Sequence, residues 1–247
     1  MPDKRAHRGP DPRDGEAFGP SAWPGLRGAV ADFSWLLGRG YAPLSALKLV
    51  GDRWSLTERQ RQAVRRAACS DDARDRRTAR QVTACSICGK NLVIDGFNVL
   101  TTIEAALGGA IVLACRDTTF RDIAGIHGSY RKVAETLPAL ERVVTVLGRL
   151  GVRHCHWLFD RPISNSGRIR SVVLETAAER GADWSVELVD DPDPILGRSS
   201  EIVATADSEI LDGDPWWFNL ARIAIETTCI EAMVVDLSSS SHSGSEC

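Results

Sequence analysis

Apolar and polar residues follow two different rhythms along the chain. From Ala29 to about Ala68, apolar residues recur every three or four positions, as they do on one face of a helix. This spacing predicts three short helices, and the third begins at Ser55 or Thr57, where Ser55 and Glu58 fit a capping box. From Asn91 onward, short apolar runs alternate with helical patterns, which is typical of a mainly parallel sheet wrapped by helices.

The alternating part of the chain divides into short strand-like and longer helix-like runs. The strand-like runs are 92–94, 110–113, 156–159, 184–189 and 202–205. The helix-like runs are 129–150, 171–180 and 216–232. The predicted order is a mobile arm at 1–27, a helical module at 28–80, a linker at 81–90, an α/β domain at 91–236 and a disordered tail at 237–247.

Three of the strand-like runs deliver an aspartate to their carboxyl end. Asp95 closes NLVID, Asp160 closes HCHWLFD, and Asp207 follows the apolar run of EIVATADSE. Because ligands bind at the carboxyl edge of parallel strands, we expect these carboxylates to lie together. An aspartate after a strand is also commonly a helix cap or a turn residue, but its repetition after several strands weakens that alternative.

A set of carboxylates with little His or Cys favours a hard cation. Mg²⁺ and Mn²⁺ take oxygen ligands, and Asp193 and Glu209 add two more carboxylates close to the strand ends. The sequence therefore predicts a site for Mg²⁺ or Mn²⁺. Cys85 and Cys88 form the only C-x-x-C, and the absence of a second pair at zinc spacing favours two incidental cysteines.

Charge is distributed unevenly along the 247 residues, although the net charge is only −3. Residues 39–80 carry 11 Lys and Arg against 5 Asp and Glu, a local charge of +6, whereas residues 81–247 carry 14 against 23, a local charge of −9. A basic segment beside an acidic body fits a polyanion, and the predicted phosphate contacts are Arg61, Arg65 and Arg66. A solvated helix face explains the same arginines.

The composition favours a cytoplasmic protein without membrane contact. No apolar run approaches the length of a membrane span, and the N-terminus lacks the apolar core of a secretory signal. Seven scattered cysteines, an odd number, fit reduced thiols better than a disulfide framework. A protein partner or a homo-oligomer is possible, because Trp216 and Trp217 fit a protein interface. They also fit a place at the edge of the hydrophobic core.

The motifs VIDGFNVL, LFD, DPIL and VATADSEIL resemble those of the PIN and NYN-type nucleases, over about residues 91–225. In that superfamily, acidic residues at the carboxyl ends of a parallel sheet bind Mg²⁺ or Mn²⁺ and cleave RNA. The resemblance implies a PIN-like α/β fold in which Asp95, Asp160 and Asp207 are catalytic. The positions that match the motif residues of the superfamily are Asp95, Asn98, Asp160, Asp193, Asp207 and Glu209.

A second resemblance concerns the whole architecture. RGY at 39–41 and LVGDRW at 49–54 resemble an uncharacterised prokaryotic family, domain of unknown function 434, which joins a helical segment to such an α/β domain. This resemblance implies no particular activity.

Two functions from different classes are therefore expected. The first is a metal-dependent endoribonuclease, a hydrolase acting on RNA or single-stranded DNA. The alternative is a catalytically inactive PIN-like module that binds RNA or regulates. Ser164, Ser166 and Arg168, in the SNSGRIR loop after Asp160, and Asn98 are the candidates for substrate binding, although a turn leading into a helix explains the loop equally well. The G-x-S-x-G elbow of serine hydrolases and the phosphate loops of nucleotide-binding proteins are absent from the sequence.

Overall fold

A helical region opens the chain, and strands alternate with helices after it. The computed structural model describes residues 7–123 and 130–238. The helices are α1 Asp14–Ala17, α2 Trp23–Gly38, α3 Pro43–Arg53, α4 Glu58–Ala67, α5 Asp71–Arg80, α6 Gly96–Leu107, α7 Thr136–Arg149, α8 Ser166–Arg180, α9 Asp193–Gly197, α10 Ser208–Leu211 and α11 Leu220–Thr228. The strands are β1 Asn91–Asp95, β2 Val112–Ala114, β3 Phe120–Asp122, β4 His154–Asp160, β5 Trp184–Val189, β6 Ile202–Ala204, β7 Trp217–Phe218 and β8 Val234–Asp236.

Five strands form a parallel sheet in the order β5-β4-β1-β6-β7. The predicted mixed α/β fold with a mainly parallel sheet is confirmed. The chain starts this sheet at the central strand β1 and adds β4 and then β5 on one side. It then returns to the other side of β1 and adds β6 and β7. The direction in which strands are added therefore reverses between β1 and β6. The crevice outside the carboxyl ends of the strands at such a reversal is where open α/β sheets bind ligands.

The two faces of the parallel sheet are covered unequally. Successive side chains of a strand point to opposite faces, so Trp157 and Phe159 of β4 join the large core that α6, α7, α8 and α11 close. Val93 and Leu158 point the other way, into a small cluster completed by α9 and α10. These two short helices follow β5 and β6 directly. They therefore bring the residues after both strands to the carboxyl edge.

A second sheet joins the helical region to the rest of the molecule. Its order is β3-β2-β8, with β2 antiparallel to β3 and parallel to β8. Val112 and Ala114 of β2 pack into the core of the α/β domain, whereas Leu113 and Cys115 pack against the helices α2 to α4. One strand thus contributes to both cores, so this sheet is a wall that the two regions share.

The helical region contains four consecutive helices, α2 to α5, where three were predicted. The capping box of α4 is formed by Thr57 and Gln60, not by Ser55 and Glu58, and this part of the prediction is wrong. Both pairs fit the sequence pattern, but Ser55 occupies a turn with φ of 50° and lies outside the helix. The unpredicted helix α5 is capped by the Ser70 side chain, which accepts from the Ala73 N–H.

Several other elements differ from their predicted limits. The predicted helix 216–232 is a strand and then a helix, since Trp217 is fully buried in β7 and α11 begins only at Leu220. Trp216 is half-exposed beside it. The helix predicted from 129 begins at Thr136, and residue 129 itself lies outside the described residues. The helix α6 and the strands β3 and β8 were not predicted.

The N-terminal segment differs from the expected mobile arm in its described part. Residues 7–27 contain α1 and the start of α2, and they contact the α/β domain. Arg8 pairs with the fully buried carboxylate of Glu104, which also accepts hydrogen bonds from the hydroxyls of Tyr130 and Thr136. Residues 1–6 and 239–247 lie outside the described residues. The predicted domain limits stay a prediction.

Among the helices that the structure describes, none has the length and apolar character needed to cross a membrane.

Replacing Arg8 by Ala leaves the Glu104 carboxylate buried without its cation. We expect the free energy of unfolding, measured by urea denaturation, to fall by about 3 kcal/mol at neutral pH. The loss should shrink at acid pH, because burial raises the pKa of Glu104 and the protonated carboxyl needs no cation. Arg13→Ala is the matched control, since that exposed arginine pairs with Asp11. Equal stability of the Arg8 variant and the wild type would contradict the structural role of this pair.

Candidate metal centre

Asp95 lies at the carboxyl end of β1, with only 6% of its surface exposed. The helix α6 begins at the very next residue, Gly96. A Cβ atom at Gly96 would overlap the ring of Phe159 on the neighbouring strand, so glycine is required for this close turn from strand to helix. The hydroxyl of Thr205 donates a 2.7 Å hydrogen bond to Asp95 Oδ2. This bond orients the carboxyl group at the reversal point of the sheet.

Thr205 also connects Asp95 to the second acidic residue at this edge. The backbone N–H of Asp207 donates to Thr205 Oγ1 over 2.9 Å, so one hydroxyl bridges the two acidic segments. Asp207 in turn accepts from the Glu209 N–H over 2.7 Å and caps the short helix α10. Thr205 was not predicted, although its place two residues before Asp207 was the available signal.

Asn98 holds the same loop from the first turn of α6. Its side-chain oxygen accepts a 2.8 Å hydrogen bond from the backbone N–H of Ala206. The described contact of Asn98 is therefore structural, and its predicted contact with substrate stays a prediction.

The remaining two acids come from the other half of the sheet. Asp160 ends β4 and is half-buried, while Asp193 opens α9 shortly after β5. Burial raises the pKa of Asp160, and the negative charge of Asp191 adds to the effect. Burial also raises the pKa of Asp193 to about 6, and the next contributions come from Asp207, Asp191, Asp160 and Glu209.

Among these acids, Asp95 has the most strongly raised pKa. Burial raises its pKa to about 8, against the hydrogen bond from Thr205, and the charges of Asp207, Asp193 and Asp160 raise it further. The charges of Asp160 and Asp207 thus act on both Asp95 and Asp193, and we treat the four side chains as one group. We call Asp95, Asp160, Asp193 and Asp207 the acid cluster. Within the described residues, none of the four has a basic partner at ion-pair distance.

A buried aspartate elsewhere in the chain shows what such a partner does. Asp117 is also buried, and burial alone would raise its pKa. Arg121 and Arg77 outweigh burial, because they contact both carboxylate oxygens, and the pKa of Asp117 is lowered to about 2. Among the residues that the structure describes, the acid cluster has no equivalent cation.

The donor set of the acid cluster fits a hard divalent cation. All four groups are carboxylates, and a cation between them would offset the negative charges that add to burial in raising the pKa values of Asp95 and Asp193. Within residues 7–123 and 130–238, no group of three or more His, Cys, Asp or Glu side chains lies close enough together to hold a metal ion. Mg²⁺ commonly binds through one or two carboxylates and keeps several waters, so the open arrangement suits it. Cys85 and Cys88 are exposed free thiols.

The predicted phosphate-binding loop lies beside Asp160 and leads into α8. Ser164 and Arg168 are exposed, and their side chains bond to no other described residue. Ser166 is buried, and its hydroxyl donates to the Arg161 carbonyl over 3.1 Å. The side chain of Asn165 donates to the Tyr130 carbonyl over 2.8 Å, and this contact anchors the loop. Ser164 and Arg168 are thus accessible to a ligand, whereas the Ser166 hydroxyl is used internally.

The three arginines predicted to contact nucleic acid lie on α4, and two of them are bound within the protein. Arg61 pairs with Asp52 over 2.8 Å and also donates to two backbone carbonyls. Arg66 pairs with Asp122 over 3.0 Å. Arg65 is exposed, and of the three it is the one without a bond to another described residue. Nucleic-acid contact by α4 stays a prediction.

Comparison with known proteins assigns the two regions to two families. The model of the family described as "Domain of unknown function (DUF5616)" matches residues 84–223, more than half of the chain. The chain belongs to this family. A second model, "Protein of unknown function (DUF434)", matches residues 25–80, which comprise most of α2 and all of α3 to α5, and supports the predicted resemblance to that family. The DUF5616 match contains all four members of the acid cluster.

A relative is found in Methanocaldococcus jannaschii. It is named "Uncharacterized protein MJ0935" and is 28% identical over 186 residues, which are 75% of this chain and 88% of that protein. No solved structure matches the chain.

The raised pKa of Asp95 makes stability depend on pH in the metal-free protein. Between about pH 4 and pH 8, an unfolded aspartate is ionised while the folded Asp95 keeps its proton, so the wild type loses stability as the pH rises. Asp95→Asn cannot ionise, and its oxygen can still accept from Thr205. We expect this variant to exceed the wild type by at least about 2 kcal/mol at pH 8 and by much less at pH 5.

The measurement is urea denaturation across this pH range with a metal chelator present. Asp190→Asn is the matched control, because Asp190 also follows a strand but is exposed and pairs with Arg161. A stability difference for Asp95→Asn that does not change with pH would contradict the raised pKa.

Proposed function

We propose that this chain is a metal-dependent endoribonuclease with a PIN-like fold, and that the acid cluster holds Mg²⁺ or Mn²⁺. The observation that carries the proposal is a group of four carboxylates without a cationic partner among the described residues, at the reversal point of a parallel sheet. Perturbed pKa values of grouped acids mark functional sites, because a structural role would favour neutralisation by a neighbouring arginine or lysine. A divalent cation is the proposed cofactor.

The PIN-like fold is proposed on two features. The strands that carry acids are neighbours in a parallel sheet; Asp95 and Asp160 end their strands, and Asp193 and Asp207 come shortly after theirs. The helices α9 and α10 are short and begin close to the sheet edge, so Asp193 and Asp207 stay near Asp95. This arrangement agrees with the family resemblance of the motifs.

The residues of the chain have distinct tasks in the proposed hydrolysis. When bound, a divalent cation supplies positive charge to the phosphate oxygens and makes a water molecule more acidic. Thr205 fixes Oδ2 of Asp95 through a hydrogen bond and so orients the carboxyl group. Asp95 must also lose its proton before it serves as a ligand, so activity should rise with pH toward the pKa of about 8. Asp160 and Asp207 are the other proposed catalytic ligands, with Asp193 or Glu209 completing the shell.

RNA is the proposed substrate, with single-stranded DNA as a second test substrate. Ser164 and Arg168 are exposed next to Asp160 and provide a hydroxyl and a guanidinium for phosphate oxygens. Arg65, exposed on α4 of the basic helical region, is proposed as a further phosphate contact. Contacts of this kind position a nucleic-acid backbone without reading its sequence. We place the reaction in the cytoplasm on the basis of the scattered, unpaired cysteines.

A catalytically inactive RNA-binding or regulatory module is the second candidate. The observation that favours it is that, in the described part of the chain, no three ligating side chains lie close enough together to hold a metal ion. In this alternative the exposed Ser164 and Arg168 bind RNA, and the acid cluster has no catalytic task. The bound RNA would then be processed or regulated by a protein partner or through a second copy of the chain.

A nuclease assay on mixed RNA with Mn²⁺ separates the two candidates. We expect cleavage by the wild type, loss of cleavage with a chelator, and at least a ~100-fold lower rate for Asp95→Asn because one ligand charge is removed. Asp190→Asn should cleave like the wild type. If the wild type cuts neither RNA nor single-stranded DNA, or if Asp95→Asn cuts equally well, the nuclease proposal fails, and gel-shift binding of RNA then tests the second candidate.

The salt dependence of RNA affinity tests the proposed phosphate contacts. Each arginine that neutralises one phosphate contributes about 0.7 to the slope of log affinity against log salt on a single strand. We expect Arg65→Ala and Arg168→Ala each to weaken binding and to reduce this slope by about that amount. Arg180→Ala is the control for Arg168→Ala, because Arg180 lies at the opposite end of α8 and pairs with Glu141. An unchanged slope would leave either arginine as a solvated surface residue.

A further inference from the structure

Two arginines and one aspartate are buried under the loop that follows β6. Arg77 comes from α5, Asp117 precedes β3, and Arg121 lies on β3. Each arginine donates a 2.6 Å hydrogen bond to Asp117 Oδ2. The other oxygen, Asp117 Oδ1, accepts from Thr119 Oγ1 over 2.6 Å and from Arg121 Nη1 over 3.2 Å. Asp117 is therefore a satisfied anchor that fixes both guanidinium groups.

Both arginines extend beyond Asp117 to the backbone of the loop. Arg121 Nε donates to the Ala206 carbonyl over 2.6 Å. Arg77 Nη2 donates to the Ser208 carbonyl over 3.2 Å. These two carbonyl groups belong to the residues immediately before and after Asp207. The backbone on each side of Asp207 is thus held by a different buried arginine.

Arg77 holds the end of the same loop as well. Its Nε and Nη2 donate to Asp212 Oδ1 over 3.0 and 2.8 Å. Asp212 directly follows α10, so Arg77 contacts the short helix at both of its ends. A helix of one turn has little stability of its own and depends on such outside contacts.

The geometry requires guanidinium groups, because a single ammonium cannot replace them. Arg121 binds Asp117 with its two terminal nitrogens and Ala206 with Nε, on two edges of one rigid plane. A lysine could keep the charge near Asp117, but its compact head could not also reach the loop carbonyl from the same position. Buried ion pairs contribute little net stability on average, and specifying one local arrangement is a better reason to keep them.

We propose that Arg77 and Arg121, anchored on Asp117, are positioning residues for Asp207 in the acid cluster. The inference rests on the proposed function, since it assigns these arginines to the same site. Arg77 belongs to the segment matched by the DUF434 model and Arg121 to the DUF5616 domain. The helical region is therefore part of the site, and the DUF5616 domain alone lacks one of the two arginine contacts that flank Asp207.

The test compares Arg121→Lys and Arg77→Lys with Arg66→Lys in the full chain. Arg66 is the matched control, because its guanidinium pairs with Asp122 beside the same network and makes no hydrogen bond to residues 205–212. Two properties are measured: hydrogen exchange of the amides in residues 205–212 without metal, and the dissociation constant of Mn²⁺ by electron paramagnetic resonance. Circular dichroism checks the overall fold.

We expect faster exchange in residues 205–212 and 10- to 100-fold weaker Mn²⁺ binding in both lysine variants, with neither change in Arg66→Lys. If the wild type binds no Mn²⁺, the proposed function fails, and hydrogen exchange alone decides the positioning role. Exchange in residues 205–212 equal to that of Arg66→Lys would overturn the inference. If neither lysine variant folds while Arg66→Lys does, the network is a folding element, and this outcome also overturns it.

Discussion

The structure depends on how it accommodates Asp95, a carboxyl group buried at the end of its central strand. Burying a carboxylate without a partner is unfavourable, and the group responds by keeping its proton, with a pKa near 8. Three more acids lie around it, although like charges oppose such a grouping. The hydrogen bonds of Thr205 and Asn98 hold the surrounding backbone against this repulsion. The energetic cost is concentrated in one small region, as is common at functional sites.

The two buried arginines nearest the acid cluster pair with Asp117 and leave the acid cluster without a cationic partner among the described residues. Arg121 lies close enough to bond the carbonyl of Ala206, next to Asp207, yet its charge is directed to Asp117. Buried Asp117 and buried Asp95 therefore have pKa values on opposite sides of neutrality, about 2 and about 8. Because the residue type and the degree of burial are similar, the difference comes from the charged neighbours, two guanidinium groups at Asp117 and three carboxylates around Asp95. Arg77 and Arg121 hold the loop around Asp207 through its backbone carbonyls, and they form no ion pair with the Asp207 carboxylate.

The two regions matched by different family models behave as one structural unit. Strand β2 contributes side chains to both hydrophobic cores, and the indole N–H of Trp217 donates to the carbonyl of Arg77 across the boundary. The segment expected to be a linker also joins the sheet, because Gln81 pairs with Trp217 beside β7. A binding site at the edge of the parallel sheet would thus be sensitive to the helical region. A shared sheet thus joins this basic region to the domain that carries the acid cluster.

The sequence by itself determined the features that depend on local pattern, namely the parallel α/β sheet and the aspartates at its strand ends. A buried strand must be apolar along its length, so Asp95 is recognisable where β1 ends. Tertiary structure alone decided which charges meet. Arg66 finds Asp122 far along the chain, so the helix face expected to bind phosphates is partly engaged within the protein. Trp217 likewise became a strand because β6 offered it backbone partners, which helical periodicity could not reveal. Pairing between distant segments is fixed by three-dimensional packing, and a linear pattern carries no record of it.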